Sequence, residues 1–207
     1  MIALLLPPCC VACGLVLLRP RTPELCRSCA ASLAAAPPLS EPDIAALFAY
    51  DGPLGEALRR CKYGGQLALA GPLGRALAAA PGFVADRDGV PWELATWVPM
   101  PWRRRLWRGF DHARLLVRAA SAERGPRPAA LLVRTRSGPP QVSLDAAARA
   151  RNMDDALAVH PRAGVQGRRV LVVDDVTTTG ATLRAALAAL RAAGAARVAG
   201  LALLHRA

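Results

Sequence analysis

Apolar and polar positions along this chain fall into two alternating rhythms. Short apolar runs bounded by turn residues read as strands at Ile44 to Tyr50, Leu94 to Val98, Ala129 to Arg134, Val170 to Val173 and Arg197 to Leu204. Between them, the patterning predicts helices at Leu54 to Cys61, Leu67 to Ala80, His112 to Glu123, Leu144 to Arg151 and Ala181 to Ala193. Strands that alternate with helices predict an α/β fold, a parallel sheet flanked by helices on both faces. The alanine runs read as helix surface, and no internal repeat interrupts the pattern.

The segment from Pro37 to Pro42 breaks this rhythm, and five of the six cysteines precede it. We therefore place a cysteine-rich module over 1–40 and the main domain over 43–207. A chain of 207 residues, 53% hydrophobic, suffices for one good core and a small appendage. The 27 Lys and Arg against 15 Asp and Glu give a net charge of +12, which favours anionic partners: phosphorylated metabolites, nucleic acid or acidic membrane. Charge alone does not choose among them. Lys62 is the sole lysine, so part of the excess reflects an arginine- and alanine-rich composition. No stretch reaches about 18 strongly apolar residues. The run Met1 to Leu6 has neither a basic flank nor a small-residue cleavage site. The expectation is a cytoplasmic protein without membrane insertion.

Two CxxC pairs, Cys10 with Cys13 and Cys26 with Cys29, stand on either side of a twelve-residue loop. Each CxxC turn brings two thiolates to one side of a tight backbone turn, and two such turns close a tetrahedral sulfur site suited to Zn²⁺. With four protein ligands the site has no open position, so its role is structural or for docking. Disulfides, or four unrelated buried thiols, are the alternatives. Cys9 has the wrong separation from Cys13 for the tight turn, and Cys61 reads as an ordinary buried thiol.

The most informative stretch runs from Val170 to Leu183. Four apolar residues form a buried strand, and Asp174 and Asp175 emerge at its carboxyl end, where open α/β sheets bind ligands. The turn after them, with Thr178, Thr179, Gly180 and Thr182, opens a helix whose N–H groups and dipole hold a phosphate. Adjacent carboxylates in front of a phosphate cradle are placed to accept hydrogen bonds from the vicinal hydroxyls of a ribose 5-phosphate. The competing reading is an Asp/Thr-rich turn that merely caps a helix.

This run resembles the ribose-phosphate signature of type I phosphoribosyltransferases, with Thr177 standing where an aliphatic residue is usual. From Cys10 to the last strand the chain is similar to the ComF family. Tyr50-Asp51-Gly52, Lys62-Tyr63-Gly64-Gly65 and Val98-Pro99-Met100-Pro101 fall in that family's order. The resemblance implies a phosphoribosyltransferase fold with an N-terminal zinc module. It also implies 5-phosphoribosyl 1-pyrophosphate bound with Mg²⁺, and Asp174 and Asp175 as its catalytic pair. By the same resemblance Arg108 and the turn at Val98 to Pro101 meet pyrophosphate. Arg134, Arg136 and Arg149, with Gln141 and Asn152, belong to a closing loop and its helix. Lys62 is an anion contact or a solvated cation. Asp111 departs from the family's Asn, and Leu157 from its Phe.

Two functions fit the resemblance. One is an enzyme that passes ribose 5-phosphate to an unknown acceptor. The other is a non-catalytic accessory of DNA uptake and natural transformation, working beside competence and replication proteins. In that role the basic segment Trp102 to Trp107 would meet single-stranded DNA, unless it is simply a solvated loop. His112 and His160 show no metal spacing.

Overall fold

The computed structural model describes residues 8–18, 24–123, 125–135 and 156–207. The helix expected at Leu144 to Arg151, and with it Arg136, Gln141, Arg149 and Asn152, lies outside the described residues. Along the chain run α1 (Arg27–Ala31), β1 (Ile44–Ala49), α2 (Pro53–Tyr63), α3 (Ala70–Ala78), α4 (Pro81–Val84) and β2 (Leu94–Trp97). Then follow α5 (Trp102–Arg108), α6 (His112–Glu123), β3 (Arg127–Pro128), β4 (Leu132–Thr135) and β5 (Ala156–Val159). The chain ends with β6 (Arg169–Thr177), α7 (Ala181–Ala192) and β7 (Arg197–His205).

Five strands form the sheet in the order β1-β7-β6-β2-β3, and every neighbouring pair is parallel. The central position of β6 explains its unbroken apolar run: Val170, Leu171, Val172 and Val173 are all at most 1% exposed, as a strand covered on both faces requires. Side chains alternate across the sheet. Val170 and Val172 join the core with Leu183, Leu187 and Leu190 of α7, while Leu171 and Val173 join the core with Leu58 of α2, Leu77 of α3 and Leu116 of α6. Gly74 lets α3 approach α6 closely, since a Cβ there would stand 2.5 Å from that of Ala119.

The proline-rich segment separates two stretches of chain but not two cores. Cys10, Val11, Leu17, Leu25 and Cys26 belong to the same buried cluster as Leu58, Cys61 and Leu73. Arg60 donates to the carbonyls of Val11 and Ala12, at 3.3 and 2.6 Å, and Arg75 Nε donates to Glu24 at 2.8 Å. Beyond α1 the chain bridges Phe48 through Ala35, antiparallel, and so covers the outer edge of β1.

Two expectations change. The strand expected over Ala129 to Arg134 is split, with Arg127 and Pro128 pairing with β2 at the sheet edge and Leu132 to Thr135 pairing with β5. The bonding to β2 runs past Pro128, with the N–H of Ala129 donating to the Ala95 carbonyl at 2.8 Å, and stops where the N–H of Leu131 turns to the buried Thr96 hydroxyl at 3.2 Å. The second difference is α5, a helix where the basic segment reads as a loop.

Candidate functional site

β2 and β6 stop pairing at Trp97 and Val173, and the N–H of Val98 makes one last bond to the carbonyl of Val173 at 3.0 Å. β6 and β7 continue together to Thr177 and His205. From β2 the chain leaves through α5 and α6 toward β3, and from β6 it leaves through α7 toward β7 on the opposite side. Such a reversal opens a crevice at the carboxyl ends of the strands.

Asp174 and Asp175 stand in that crevice, on a cavity of about 280 Å³ that Lys62, Arg104, Arg134 and Thr182 also line. Lys62, on the last turn of α2, places Nζ 2.8 Å from Asp175 Oδ1, with the two side chains only 15% and 14% exposed. Asp174 Oδ1 accepts the N–H of Asp175 at 2.8 Å. Burial, followed by the charge of Asp175, holds the Asp174 carboxyl well above the ordinary range. The pair is thereby differentiated: Asp175 faces a cation, and Asp174 favours its protonated form.

The opposite wall is the turn from Val98 to Pro101. Its position is fixed twice: Arg134 Nε donates to the Pro99 carbonyl at 2.6 Å, and the N–H of Met100 donates to Asp111 Oδ2 at 3.1 Å. Asp111 is 9% exposed, and its burial raises the carboxyl even though two backbone N–H groups pull it down.

At the end of β6 the turn predicted from sequence forms. Thr177 is buried, as the aliphatic residue it replaces would be. Gly180 has φ +75°, a conformation that side chains resist, and the twelve-residue α7 begins directly after it. The helix presents its unpaired N–H groups and positive dipole end at this turn. Thr179 Oγ1 accepts the N–H of Ala181 at 3.4 Å. Thr178, Thr179 and Thr182 are exposed; of the four turn positions Thr182 lines the cavity.

The structure thus brings together Asp174, Asp175, Thr182, Arg134 and Lys62. Arg108 ends α5, with its side chain outside the described set, and Arg104 of the same helix lines the cavity. Sequence reasoning passed over Arg104 because the segment read as a loop, although Pro101 ahead of seven non-breaking residues is a helix-start signal. It also missed His205, whose Nε2 lies 3.0 Å from the Thr178 carbonyl and braces the turn from β7.

The second site is the cysteine cluster. The sulfurs of Cys10, Cys13, Cys26 and Cys29 lie within 4.8 Å of one another, with Cys13 and Cys26 3.8 Å apart. A tetrahedral thiolate site with bonds near 2.3 Å separates its sulfurs by about 3.8 Å, so these residues fit a metal such as zinc. The thiols titrate unequally: burial opposes ionisation of Cys10, yet the N–H groups of Cys13, Cys26 and Ala12 bring it down to about 6. Burial and the neighbouring thiols push Cys29 up to about 12. Cys9 is exposed and bridges Val16 across the first turn, while Cys61 is buried in α2.

Residues 122–207 match the family model described as phosphoribosyl transferase domain. The chain is similar to the DNA utilization protein YhgH of Escherichia coli K12, with 32% identity over 153 residues that cover 72% of this chain and 66% of that protein. The match to YhgH of Escherichia coli O6:H1 is 39% identical over 103 residues and spans 49% of this chain, but only 44% of that relative's length. Among solved structures, the glutamine phosphoribosylpyrophosphate amidotransferase of B. subtilis aligns with 64% of this chain and 25% of its own, at 26% identity and a TM-score of 0.41. A structure described as the allosteric regulatory enzyme of purine biosynthesis aligns with 64% of this chain and 24% of its own, at 23% identity and a TM-score of 0.39.

The parallel sheet and its crevice agree with the phosphoribosyltransferase-type α/β fold expected from the sequence, and the family match places a phosphoribosyl transferase domain over residues 122–207. The four-cysteine cluster and the similarity to YhgH bear out the resemblance to the ComF family. Among the described residues no helix is long and apolar enough to cross a membrane.

Proposed function

We propose that this protein binds 5-phosphoribosyl 1-pyrophosphate with Mg²⁺ in the crevice between β2 and β6, as the step before transfer of ribose 5-phosphate to an acceptor. The observation that carries this reading is the placement of Asp174 and Asp175 between the Lys62 ammonium and the helix-opening turn at Thr178 to Thr182. The turn receives the 5-phosphate, and the carboxyl pair receives the ribose hydroxyls. When the anomeric C1–O bond breaks, its electron pair leaves with pyrophosphate and positive charge builds on the ribose ring. The Asp175 carboxylate, 2.8 Å from Lys62 Nζ, faces that charge and favours it. The acceptor's lone pair then forms the new bond to C1. Mg²⁺ bound with the substrate would neutralise leaving-group charge, and Asp174 and Asp175 offer the oxygen ligands such a hard cation takes. Zn²⁺ in the cysteine cluster, with six free thiols, suits the reducing cytoplasm.

Calorimetric titration of 5-phosphoribosyl 1-pyrophosphate and Mg²⁺ into the zinc-loaded protein tests this, with Asp174→Asn/Asp175→Asn as control. Binding lost in the control supports the reading, and no binding to the native protein overturns it.

One observation favours a second, compatible role in DNA handling, in keeping with the name of the YhgH relatives. On α5, Trp102 and Trp107 are 57% and 76% exposed, beside exposed Arg104 and Arg105. Guanidinium groups interleaved with exposed indoles suit single-stranded DNA. Affinity that falls steeply with salt, and more weakly once Arg103 to Arg105 are replaced, would support it.

A further inference from the structure

Beside the crevice, behind the wall made by Pro99 to Pro101, lies a larger cavity of about 490 Å³. Its size is within the range of about 300–1,000 Å³ that small-ligand sites occupy. Four arginines line it: Arg105 of α5, Arg114 and Arg118 of α6, and Arg134 of β4. The carboxylate on its wall, Asp111, already accepts two backbone N–H groups, from Met100 and Arg114. Arg105, Arg114 and Arg118 have no carboxylate partner among the described residues. The Asp111 carboxylate feels the charge of Arg105 alone among these three, and four guanidinium groups around one carboxylate leave an excess of positive charge that calls for an anion.

The rest of the lining is flat and apolar. Trp97 carries the Arg114 guanidinium 6.0 Å above its ring, Trp102 is 57% exposed, and Pro99, Pro101 and Pro128 complete the wall. A bare phosphate would leave this surface uncovered, and a purely apolar ligand would leave the guanidinium groups unmatched. A planar ring joined to a phosphate satisfies both.

We propose that this cavity binds a free mononucleotide, with its base against Trp102 and the proline wall and its phosphate on Arg105, Arg114 and Arg118. The site shares the Pro99 to Pro101 wall, Asp111 and Arg134 with the sugar-phosphate crevice but is lined by none of Lys62, Asp174, Asp175 or Thr182, so it does not depend on that reading. It gives the protein a place for a second ligand beside the ribosyl donor.

The test titrates AMP, GMP, CMP and UMP into the zinc-loaded full chain, followed by tryptophan fluorescence and calorimetry, with ribose 5-phosphate and pyrophosphate as probes that lack a base. At least one mononucleotide is expected to bind about tenfold more tightly than ribose 5-phosphate, the excess coming from base stacking. Arg114→Ala/Arg118→Ala should weaken that binding by roughly 30-fold or more, the loss expected for two charge-assisted contacts. The same variant should change affinity for 5-phosphoribosyl 1-pyrophosphate by less than about twofold. Trp102→Ala should remove the preference for nucleotide over ribose 5-phosphate. Circular dichroism establishes that each variant is folded, and Arg118→Gln replaces the double change if it is not. The proposal fails if no mononucleotide binds below about 1 mM. It fails equally if base-free phosphates bind Asp174→Asn/Asp175→Asn, whose crevice is disabled, as tightly as mononucleotides do, if only oligonucleotides bind, or if the arginine variant weakens pyrophosphate and the ribosyl donor in parallel. Nucleotide binding without donor binding would sink the crevice reading and leave this one standing.

Discussion

Lys62 Nζ sits 2.8 Å from Asp175 Oδ1, joining the last turn of α2 to the carboxyl end of β6. Both groups are largely buried, so removing one partner leaves the other charged and poorly solvated. Lys62→Ala should weaken binding of 5-phosphoribosyl 1-pyrophosphate by about 10- to 100-fold, the size expected when a close buried charge pair is broken. Lys62→Arg should lie between the variant and the native protein. If Lys62 acts through Asp175, adding Asp175→Asn to Lys62→Ala costs less than the sum of the two single changes. Strict additivity in calorimetry would mean that the two side chains act separately.

Asp174 contributes a pH dependence whose sign follows from its raised carboxyl. Burial and the Asp175 charge disfavour its ionised form in the fold, so between the ordinary carboxylate range and its raised value the native state holds a proton that the unfolded chain has lost. Stability from this group is present at low pH and is lost as pH rises through the folded value. Asp174→Asn removes the penalty. Its melting temperature should exceed the native protein's by roughly 2–6 °C at pH 7.5, a shift set by about 2–4 °C per kcal/mol for a chain of this size. The gap should close toward pH 4. A gap that is constant with pH would show that ionisation of Asp174 is not the cause.

The cysteine cluster shares its core with α2 and α3, so metal loss should be felt beyond the first forty residues. We expect one metal per chain, and a chelator should lower the melting temperature by roughly 5–15 °C while exposing the buried Cys61 to thiol reagents. Cys26→Ser should have the same effect, because Cys26 is a predicted ligand and the residue whose sulfur caps α1. Cys9→Ser and Cys61→Ser should retain the metal. Metal content by mass spectrometry checks all three, and loss of metal from Cys9→Ser would reassign the first turn.

The parallel sheet and its helices were legible because central strands must be apolar on both faces and α6 and α7 show clean helical periods. Val170 to Asp175 carried strand, strand end and carboxyl pair within six consecutive residues. What was not legible depends on partners remote in sequence. Thr96 takes the Leu131 N–H and ends an edge strand, and nothing local to Leu131 announces that. The pairing of Lys62 with Asp175 arises only when α2 packs below β6, so Lys62 read equally as a solvated cation. Arg104 was hidden because a run of three arginines gives no apolar period by which to recognise α5.

Asp111 joins the stability of α6 to the shape of the site. Its carbonyl accepts the N–H of Leu115 at 3.1 Å, Oδ1 accepts that of Arg114 at 3.3 Å, and Oδ2 reaches back to Met100 at 3.1 Å. It is the cap of α6 and the anchor of the Val98 to Pro101 wall at once. Asp111→Asn keeps one oxygen acceptor and removes a carboxyl whose ionisation burial opposes, so the two effects offset and stability should change by less than about 1 kcal/mol. Asp111→Ala loses both bonds and should cost about 1–2 kcal/mol, the usual range for a lost helix cap. Because the Met100 N–H is then also unpaired, the wall loosens, and donor binding should weaken about tenfold in Asp111→Ala but less than threefold in Asp111→Asn. Denaturant melts and calorimetry on the two variants separate the roles. If Asp111→Asn weakens donor binding as much as Asp111→Ala, the carboxylate charge itself serves the ligand, and the wall's geometry is not what Asp111 supplies.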